Sequence, residues 1–406
     1  MTSAKQFENE RTLLVVSFSE TKRDPRVLKE VVALRHHFQV SVAGFGEDPN
    51  LNVRHLRLSD SERPFGIFSS GKWREKLEFF FCSTKMYSLY YWGLKTEVRA
   101  LKRLLKSNRF DGILVNEPEP IPAVLKFSHP STAIVHDQGE YWPELFISPI
   151  RRWGVRGYRF WIFKKYVRQI RHWTVVGEAI GREHQSNIGM TKPTVVTNAC
   201  QYEDLLPSPV DSRSIELVYQ GLWTPGRGVE KILEALSLSD IRFKLNLMLL
   251  NPPTKELHDL VKRFGVQDRV KFHSPVDQGQ VSKFINQFDV EIIFIQPVNK
   301  NFELALPNKL FEAIQGRLAV ITAPLPEVAR LVTEEKIGEV THGFNAEDLA
   351  TTLNALTTEK IESYKRQANN AAKKHNSEQN AKRLVSVLTD AFLEKQSYQE
   401  RLESKI

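Results

Sequence analysis

The sequence has little cysteine and no long apolar run. Its only cysteines, Cys82 and Cys200, are too far apart for a metal-site spacing or a disulfide framework. Charge-free runs such as residues 36–46 are much shorter than the roughly 18 apolar residues that cross a bilayer. The first ten residues contain two glutamates and no apolar block, which argues against a secretory signal. We therefore expect a cytoplasmic protein.

The sequence also lacks an Asp-x-Asp motif, a histidine-rich cluster and any short internal repeat. Without the first two we expect no metal and no bound cofactor, and without the third a solenoid is excluded. The composition is that of an ordinary globular protein, with 41% hydrophobic and 26% charged residues. At roughly 100 to 200 residues per domain, the chain has room for two or three domains.

The formal net charge of +9 is concentrated in one half of the chain. Residues 1–200 contain 31 Lys and Arg against 20 Asp and Glu, whereas residues 201–406 contain 26 against 28. A surface for an anionic partner therefore belongs to the first half. Nucleic acid is the least favoured partner, because no recognisable reading module accompanies the arginines.

Residues 146–173 contain eight basic residues, eight aromatic residues and no acid. Basic charge mixed with Trp and Phe suits an anionic membrane surface or a lipid-linked acceptor. The alternative is a set of partly buried rings with solvated charges. A second aromatic-rich segment, residues 79–94, favours peripheral contact with the inner face of a membrane.

The first half of the chain has the pattern of a Rossmann-like α/β domain. An apolar run at 13–18 predicts a buried strand, Asp24-Pro25 predicts a helix start, and a second strand follows at 39–43. This βαβ order predicts a parallel sheet. Further strands are predicted at 112–115, 133–136 and 173–176.

A polar joint at 201–214 separates this half from a second α/β pattern. We therefore place an N-terminal domain at 1–200 and a second domain at 201–380, with a C-terminal helix at 381–406. That helix has an apolar stripe that needs a partner surface. The strands predicted for the second domain are 216–219, 243–249, 270–273, 290–295 and 318–322.

The densest chemical signal runs from Asn301 to Gly316. A helix predicted to begin near Pro307 would expose the first-turn amides, including those of Asn308 and Lys309, to an anion. The Lys309 side chain adds a positive charge. Glu312, one turn further on, either accepts hydrogen bonds from a ribose diol or simply favours the helix dipole.

The segment LPNKLFEAIQGRLAVIT (306–322) resembles the donor-site signature of GT4-type glycosyltransferases, and LVYQGLWTPGRGVEKILEAL (217–236) resembles the first strand, glycine turn and helix of their donor domain. The resemblance implies the GT-B fold, in which two Rossmann-like, doubly wound domains face each other across a cleft. A C-terminal helix then crosses back to the first domain. The donor is implied to bind at 201–380 and the acceptor at 1–200.

The activity implied by the resemblance is transfer of a sugar from a nucleotide diphosphate to a hydroxyl of a glycan or lipid-linked glycan. The implied transfer is retaining, with the leaving phosphate as base. The donor-binding residues implied by the matched motifs are Gly221, Arg227, Glu303, Pro307, Asn308, Lys309 and Glu312.

The chain departs from the family in three places. Many members have an arginine just after the glycine of the first donor-domain strand, whereas here Gly221 is followed by Leu222. The family often has an acid eight residues before Glu312, but here the nearest acid is Glu303, one place earlier. Its acidic loop commonly reads Asp-x-His-Glu, whereas this chain has Asp137-Gln138-Gly139-Glu140. We take Asp137 and Glu140 as catalytic candidates, and His136 and Arg26 as contacts for the acceptor or a phosphate.

Two other functions remain open from the sequence. A sugar-nucleotide epimerase of the same architecture would act without an acceptor. A non-catalytic carbohydrate- or membrane-binding relative would keep the fold and lose the chemistry.

Overall fold

The computed structural model describes residues 11–58, 71–145 and 149–404, which form two compact units. Unit 1 draws on residues 1–196 and 381–406, and unit 2 consists of residues 197–380. No helix among the described residues is both long enough and apolar enough to span a membrane.

Unit 1 is built on a parallel sheet of seven strands in the order β3-β2-β1-β4-β5-β6-β7. The central strand β1 is buried on both faces, with Leu13, Leu14, Val15 and Val16 fully inaccessible, as its unbroken apolar run predicts. The strands are β1 Thr12–Glu20, β2 Gln39–Phe45, β3 Arg54–Arg57, β4 Gly112–Asn116, β5 Ala133–Gln138, β6 His172–Val175 and β7 Thr194–Val195.

Helices connect these strands in the manner of βαβ units. The helix predicted after β1 begins at Pro25, and the Asp24 carboxylate caps it by accepting from the amides of Arg26 and Val27 at 3.1 and 3.2 Å. The helices are α1 Pro25–Leu34, α2 Gly71–Ser83, α3 Tyr87–Leu89, α4 Thr96–Ser107, α5 Ile121–Phe127, α6 Pro149–Lys165 and α7 Glu178–Ile188.

Unit 2 repeats this architecture with a parallel sheet of six strands in the order β10-β9-β8-β11-β12-β13. Its strands are β8 Ile215–Gly221, β9 Phe243–Leu249, β10 Val270–His273, β11 Val290–Ile293, β12 Ala319–Thr322 and β13 Gly338–Val340. Its helices are α8 Val229–Ser237, α9 Lys255–Arg263, α10 Val281–Ile285, α11 Lys300–Glu303, α12 Asn308–Gln315, α13 Pro326–Glu334, α14 Ala346–Asn354 and α15 Thr358–Ala372.

The last helix, α16 Ser377–Glu403, starts in unit 2 and supplies part of the core of unit 1. Its predicted apolar stripe finds its partner there, since Leu384, Leu388 and Phe392 pack in one cluster with residues of β1, β2 and α1. The Phe392 ring lies 5.6 Å from that of Phe38. The predicted return of this helix to the first domain is therefore confirmed.

Both sheets place a reversal of strand order at their centre. In unit 1 the chain moves outward from β1 through β3 and then resumes on the other side at β4, and β8 and β11 have the same relation in unit 2. Ligands of such sheets bind beyond the carboxyl ends of the strands at this switch point. The residues that follow β8 and β11 are therefore the first candidates for a ligand site in unit 2.

We predict that Phe392→Ala destabilises unit 1 by about 3–5 kcal/mol, because it leaves a cavity among buried apolar side chains. Leu393→Ala is the matched control. Leu393 is the next residue on the same helix but is 51% exposed, so its loss is expected to cost under about 0.5 kcal/mol. Urea denaturation followed by intrinsic fluorescence measures both changes, since six of the seven tryptophans precede residue 197. Equal losses would contradict the packing described.

Candidate functional site

The loop from β8 to α8 depends on two glycines. Gly226 and Gly228 have φ angles of 85° and 83°, a region that favours glycine. A Cβ atom on Gly228 would lie 1.9 Å from the Phe294 carbonyl oxygen, and one on Gly226 would lie 2.8 Å from the Phe302 ring. The close packing of this turn holds Arg227 just beyond the carboxyl end of β8.

Arg227 is half-buried, and its guanidinium carbon lies 5.1 Å from the centroid of the Phe302 ring. This distance is within the range of a cation–π contact. The charge of Arg227 acts on two neighbouring side chains. It lowers the pKa of Lys309 and opposes the rise in the pKa of Tyr219. The structure therefore brings Arg227 and Lys309 together, as the matched motifs imply.

Lys309 is a buried cation of unit 2. Its side chain is only 7% exposed, and its Nζ has no hydrogen-bond partner among the residues that the structure describes. It lies 3.6 Å from the centroid of the Tyr219 ring, beside Gly221, whose Cβ position would be 3.7 Å away. Burial and the charge of Arg227 lower the pKa of Lys309 to about 8, against the opposing effect of Glu291 and Glu312.

Two carboxylates face this ammonium. Glu312 is half-buried on the same helix, and Glu291 is fully buried on β11. Burial raises the pKa of Glu291 well above its usual range, while Lys309 works in the opposite direction. Glu291 was not predicted from the sequence, where its only signal is a single acid within the apolar run of β11.

Helix α12 begins at Asn308. The helix was predicted to begin near Pro307, which is instead the N-cap residue directly before it. No side chain caps the first turn, and Asn308 is exposed. The positive end of the helix dipole therefore adds to the charge of Lys309. This combination is typical of sites for phosphate groups.

Glu303 takes another partner. It ends the short helix α11 and forms an ion pair with Lys300, whose Nζ lies 2.9 Å from Glu303 Oε1. Leu304, in the position where the family often has an acid, is buried at 4% exposure. Among the described residues, the ion-pair partner of Glu303 is therefore a residue of its own helix α11.

In unit 1, Asp137 is locked into a buried ion pair. It is 1% exposed near the end of β5, and its carboxylate accepts hydrogen bonds from the Arg26 guanidinium and the Thr174 hydroxyl. Burial alone would raise the pKa of Asp137, but Arg26 and Thr174 hold it below its ordinary value. A carboxylate held in this way serves better to fix Arg26 than to accept a proton.

Arg26 has further contacts that the sequence did not reveal. Its Nη2 donates to the carbonyl of Val196 at 3.2 Å, and its Nε lies 3.5 Å from Glu30 Oε1. Glu30 is buried and accepts a hydrogen bond from Asn116 at 2.7 Å. Burial and the neighbouring Asp137 charge raise the pKa of Glu30 well above its usual range. The predicted phosphate contact is thus part of a buried network at the carboxyl edge.

His136 is fully buried within β5, and both its ring nitrogens are engaged. Nδ1 lies 2.9 Å from the Val115 carbonyl oxygen, and Nε2 lies 2.7 Å from Gln138 Oε1. Burial lowers its pKa. It therefore supports the loop from inside the sheet, whereas Glu140, two residues beyond the strand, is exposed.

Gly139 leaves room in this loop. A Cβ atom there would lie 3.5 Å from Arg26 Cδ, an ordinary contact distance. A larger residue at position 139 would consequently sit against the Arg26–Asp137 pair. The Arg26 Nε lies 3.8 Å from the same Cβ position.

Most described rings of residues 146–173 pack inside unit 1. Tyr158, Phe163 and Trp173 are at most 2% exposed, and Trp161 is half-buried between Tyr87 and Tyr166. Phe146 lies outside the described residues, and only the backbone of Trp153 is described. The basic residues Arg156, Lys164, Lys165 and Arg168 are exposed, which supports the alternative of buried rings with solvated charges.

Within the described ranges, no three His, Cys, Asp or Glu side chains form a group that would hold a metal ion. The acids at both carboxyl edges instead face arginine or lysine.

Comparison with known proteins finds a family match over part of the chain and a shared fold. Residues 207–374 match the family described as glycosyl transferases group 1. No curated protein sequence matches the chain.

Three solved structures illustrate the likeness in fold. Sucrose-phosphate synthase from Thermosynechococcus elongatus has a TM-score of 0.62 at 13% identity, over 98% of this chain and 100% of that one. HepE from Anabaena, in complex with UDP-glucose, has a TM-score of 0.66 at 13% identity, over 94% and 100%. WaaG, a glycosyltransferase involved in lipopolysaccharide biosynthesis, has a TM-score of 0.64 at 13% identity, over 93% and 99%. The predicted GT-B fold is thereby confirmed.

We predict that Gly228→Ala unfolds or distorts the β8–α8 turn, because the added methyl group must displace the backbone of Phe294. Gly265→Ala is the control, since Gly265 has a similar φ of 66° but open space around its Cβ position. The control is expected to cost about 1 kcal/mol from backbone strain alone, and Gly228→Ala at least about 3 kcal/mol. Thermal denaturation of the two variants measures the difference, and equal losses would show that the turn is not tightly packed.

Proposed function

We propose that this chain, whose residues 207–374 match the family described as glycosyl transferases group 1 and whose two units have the GT-B fold, transfers a sugar from a nucleotide diphosphate to a hydroxyl group. The observation that carries the proposal is the buried Lys309 ammonium, which has no hydrogen-bond partner among the described residues. Burying a charge without a partner is costly unless a ligand supplies one.

The arrangement suits the charge that develops in glycosyl transfer. Breaking a sugar–phosphate bond places negative charge on the leaving diphosphate, and preorganised donors stabilise it at little reorganisation cost. Arg227, Lys309 and the start of α12 meet at one edge of unit 2, and they are the groups that would hold this diphosphate.

Glu312 is the proposed ribose contact. It is half-buried and lies close enough to Lys309 to raise the lysine pKa. A carboxylate next to a phosphate site is well placed to accept hydrogen bonds from a ribose diol. HepE was solved with UDP-glucose, which makes uridine nucleotides the first donors to test.

The acceptor is proposed to bind unit 1, and the transfer is proposed to be retaining, with the leaving phosphate as base. This assignment leaves Asp137 to fix Arg26, and it gives the exposed Glu140 the task of contacting the acceptor hydroxyl. The proposed acceptor is a glycan or a lipid-linked glycan, and no metal takes part in the proposed reaction.

Gly139 and the locked Asp137 favour one alternative, a non-catalytic relative that binds a nucleotide sugar without turnover. An epimerase would convert the donor in the absence of any acceptor. Incubating UDP-sugars alone and then with lipid and glycan extracts separates these functions. Isomerised donor identifies the epimerase, released UDP only with extract identifies the transferase, and binding without either product identifies the relative.

Peripheral membrane contact is a further part of the proposal. The exposed basic residues near the end of α6 would meet lipid phosphates, and Phe80, Met86 and Leu89 expose large apolar side chains at 56%, 42% and 51%. Apolar side chains combined with basic charge suit the surface of an anionic bilayer.

For the donor site, we expect Arg227→Ala and Lys309→Ala each to weaken UDP binding about tenfold to a hundredfold, since each removes a charged hydrogen-bond donor. Glu312→Ala should instead abolish the preference for UDP over its 2′-deoxy analogue. Isothermal titration calorimetry gives all three results. Lys360→Ala, which removes an exposed lysine of unit 2, is the control. Unchanged affinity in all three site variants would remove the proposed donor site.

For the membrane, we expect alanine at Lys164, Lys165 and Arg168 to reduce cosedimentation with vesicles rich in phosphatidylglycerol by about tenfold or more, since each basic residue near such a surface contributes about 1 kcal/mol. Alanine at Lys102, Arg103 and Lys106, three exposed basic residues of α4, is the matched control. The proposal is wrong if both triple variants bind as the wild type does, or if neutral vesicles bind equally well.

A further inference from the structure

Glu117, the residue that directly follows β4, has a strained backbone. Its φ angle is 65°, in the left-handed region that residues other than glycine, asparagine and aspartate seldom adopt. It also precedes Pro118, and a residue before proline is normally extended. Neither its own side chain nor the next residue favours this conformation.

The other positive φ angles of residues with side chains have local explanations. In the part of the chain that the structure describes, these residues are Asn50, Asn52, Lys85, Arg317 and Lys336. Asparagine tolerates the conformation, and the other three follow helix ends. After α13, for example, the Lys336 amide donates to the Thr333 carbonyl at 3.2 Å and the Ile337 amide donates to the Val332 carbonyl at 3.1 Å, which is the Schellman motif. Glu117 follows a strand, so helix capping does not explain it.

The residues on both sides of Glu117 are fixed by hydrogen bonds. The side chain of Asn116 belongs to the buried network described above. On the other side, the Tyr91 hydroxyl donates to the Glu119 carbonyl at 2.8 Å, and the Tyr158 hydroxyl donates to the Glu119 carboxylate at 2.9 Å. The surrounding structure therefore holds Glu117 in its strained conformation, as it does for strained residues at functional sites.

The position of Glu117 is the one where a ligand of this sheet is expected. The neighbouring strands β1 and β4 form the switch point of unit 1, and Glu117 lies at the carboxyl end of β4. Its side chain is half-buried, and it forms no hydrogen bond or ion pair with another described residue. A strained residue thus places an unpaired carboxyl group at the switch point.

The charged groups around Glu117 leave this carboxyl group available. Asp24 caps α1, and Glu119 forms an ion pair with Lys95. Burial and the charges of these two acids raise the pKa of Glu117 to about 8, against the opposing effect of Lys95 and Arg159. At neutral pH the group is therefore mainly a neutral carboxyl, which both donates and accepts hydrogen bonds. A hydroxyl group of a sugar has the same two capacities.

We propose that Glu117 binds the acceptor through an uncharged hydroxyl group at the switch point of unit 1, and that its backbone strain is kept because it holds the carboxyl group there. The inference rests on the proposed function. It adds to Glu140 a second acceptor contact and names an uncharged hydroxyl, rather than a phosphate, as the group that is recognised at this point.

The first test measures UDP released from UDP-sugars as a function of added lipid and glycan extract. Glu117→Ala should raise the amount of extract needed for half-maximal release by about tenfold, because a hydrogen-bonding partner of the acceptor is lost. Glu117→Gln should stay within about threefold of the wild type, since an amide also donates and accepts. Both variants should bind UDP in calorimetry as the wild type does.

The second test measures the strain. Glu117→Gly should raise the melting temperature by about 2–4 °C, because glycine adopts a positive φ without steric cost, and it should lose release as Glu117→Ala does. Lys336→Gly is the matched control. It replaces an exposed residue with a φ of 54°, so it should also gain stability but keep the release of the wild type.

The outcomes separate the inference from the proposed function. A wild type that releases no UDP with any extract overturns both. If the wild type releases UDP and Glu117→Ala needs no more extract, or if Glu117→Ala also loses UDP binding, the transferase stands and the role of Glu117 is wrong. A gain in melting temperature for Lys336→Gly but not for Glu117→Gly also overturns the inference, because the strain would then be absent.

Discussion

The candidate site depends on the cost of keeping a positive charge away from water. Lys309 is placed between an aromatic ring, a guanidinium and two carboxylates, at the point where a strand ends and a helix begins. None of these neighbours gives the ammonium a full set of hydrogen bonds. A multiply charged anion would supply these hydrogen bonds. Its binding would be strong because Lys309 lost its hydration when the chain folded.

The two units treat their charges in opposite ways. In unit 1, the Arg26 guanidinium donates hydrogen bonds to Asp137 and to the Val196 carbonyl. Its positive charge is therefore already paired within the fold. In unit 2, Arg227 contacts the face of the Phe302 ring, and Lys309 lies near Glu291 and Glu312. These two cations are therefore the ones that an anion would bind at the carboxyl edge of unit 2. This contrast is the physical reason for the proposal that the nucleotide binds unit 2 and an uncharged hydroxyl binds unit 1.

The sequence predicted the architecture better than the site. The continuous apolar run of β1, the apolar-rich β9 and the Asp24-Pro25 helix start were found because each follows from a local rule. The short strands β3, β7 and β13 were missed, since two to four residues that are half-buried or exposed leave no periodic signal. Motif spacing predicts Arg227 and Lys309 as donor contacts. The engagement of Asp137 by Arg26 joins residues 111 positions apart, and no local rule marks the buried Glu291 of β11.

Helix α16 also determines the order in which the protein can be completed. Leu384, Leu388 and Phe392 belong to the same apolar cluster as β1 and α1, yet they are separated from those elements by the whole of unit 2. Unit 2 is continuous in sequence and leaves the ribosome before them. The first unit to be synthesised is therefore the last whose interior is complete, and its exposed sheet face must stay soluble until the end of translation.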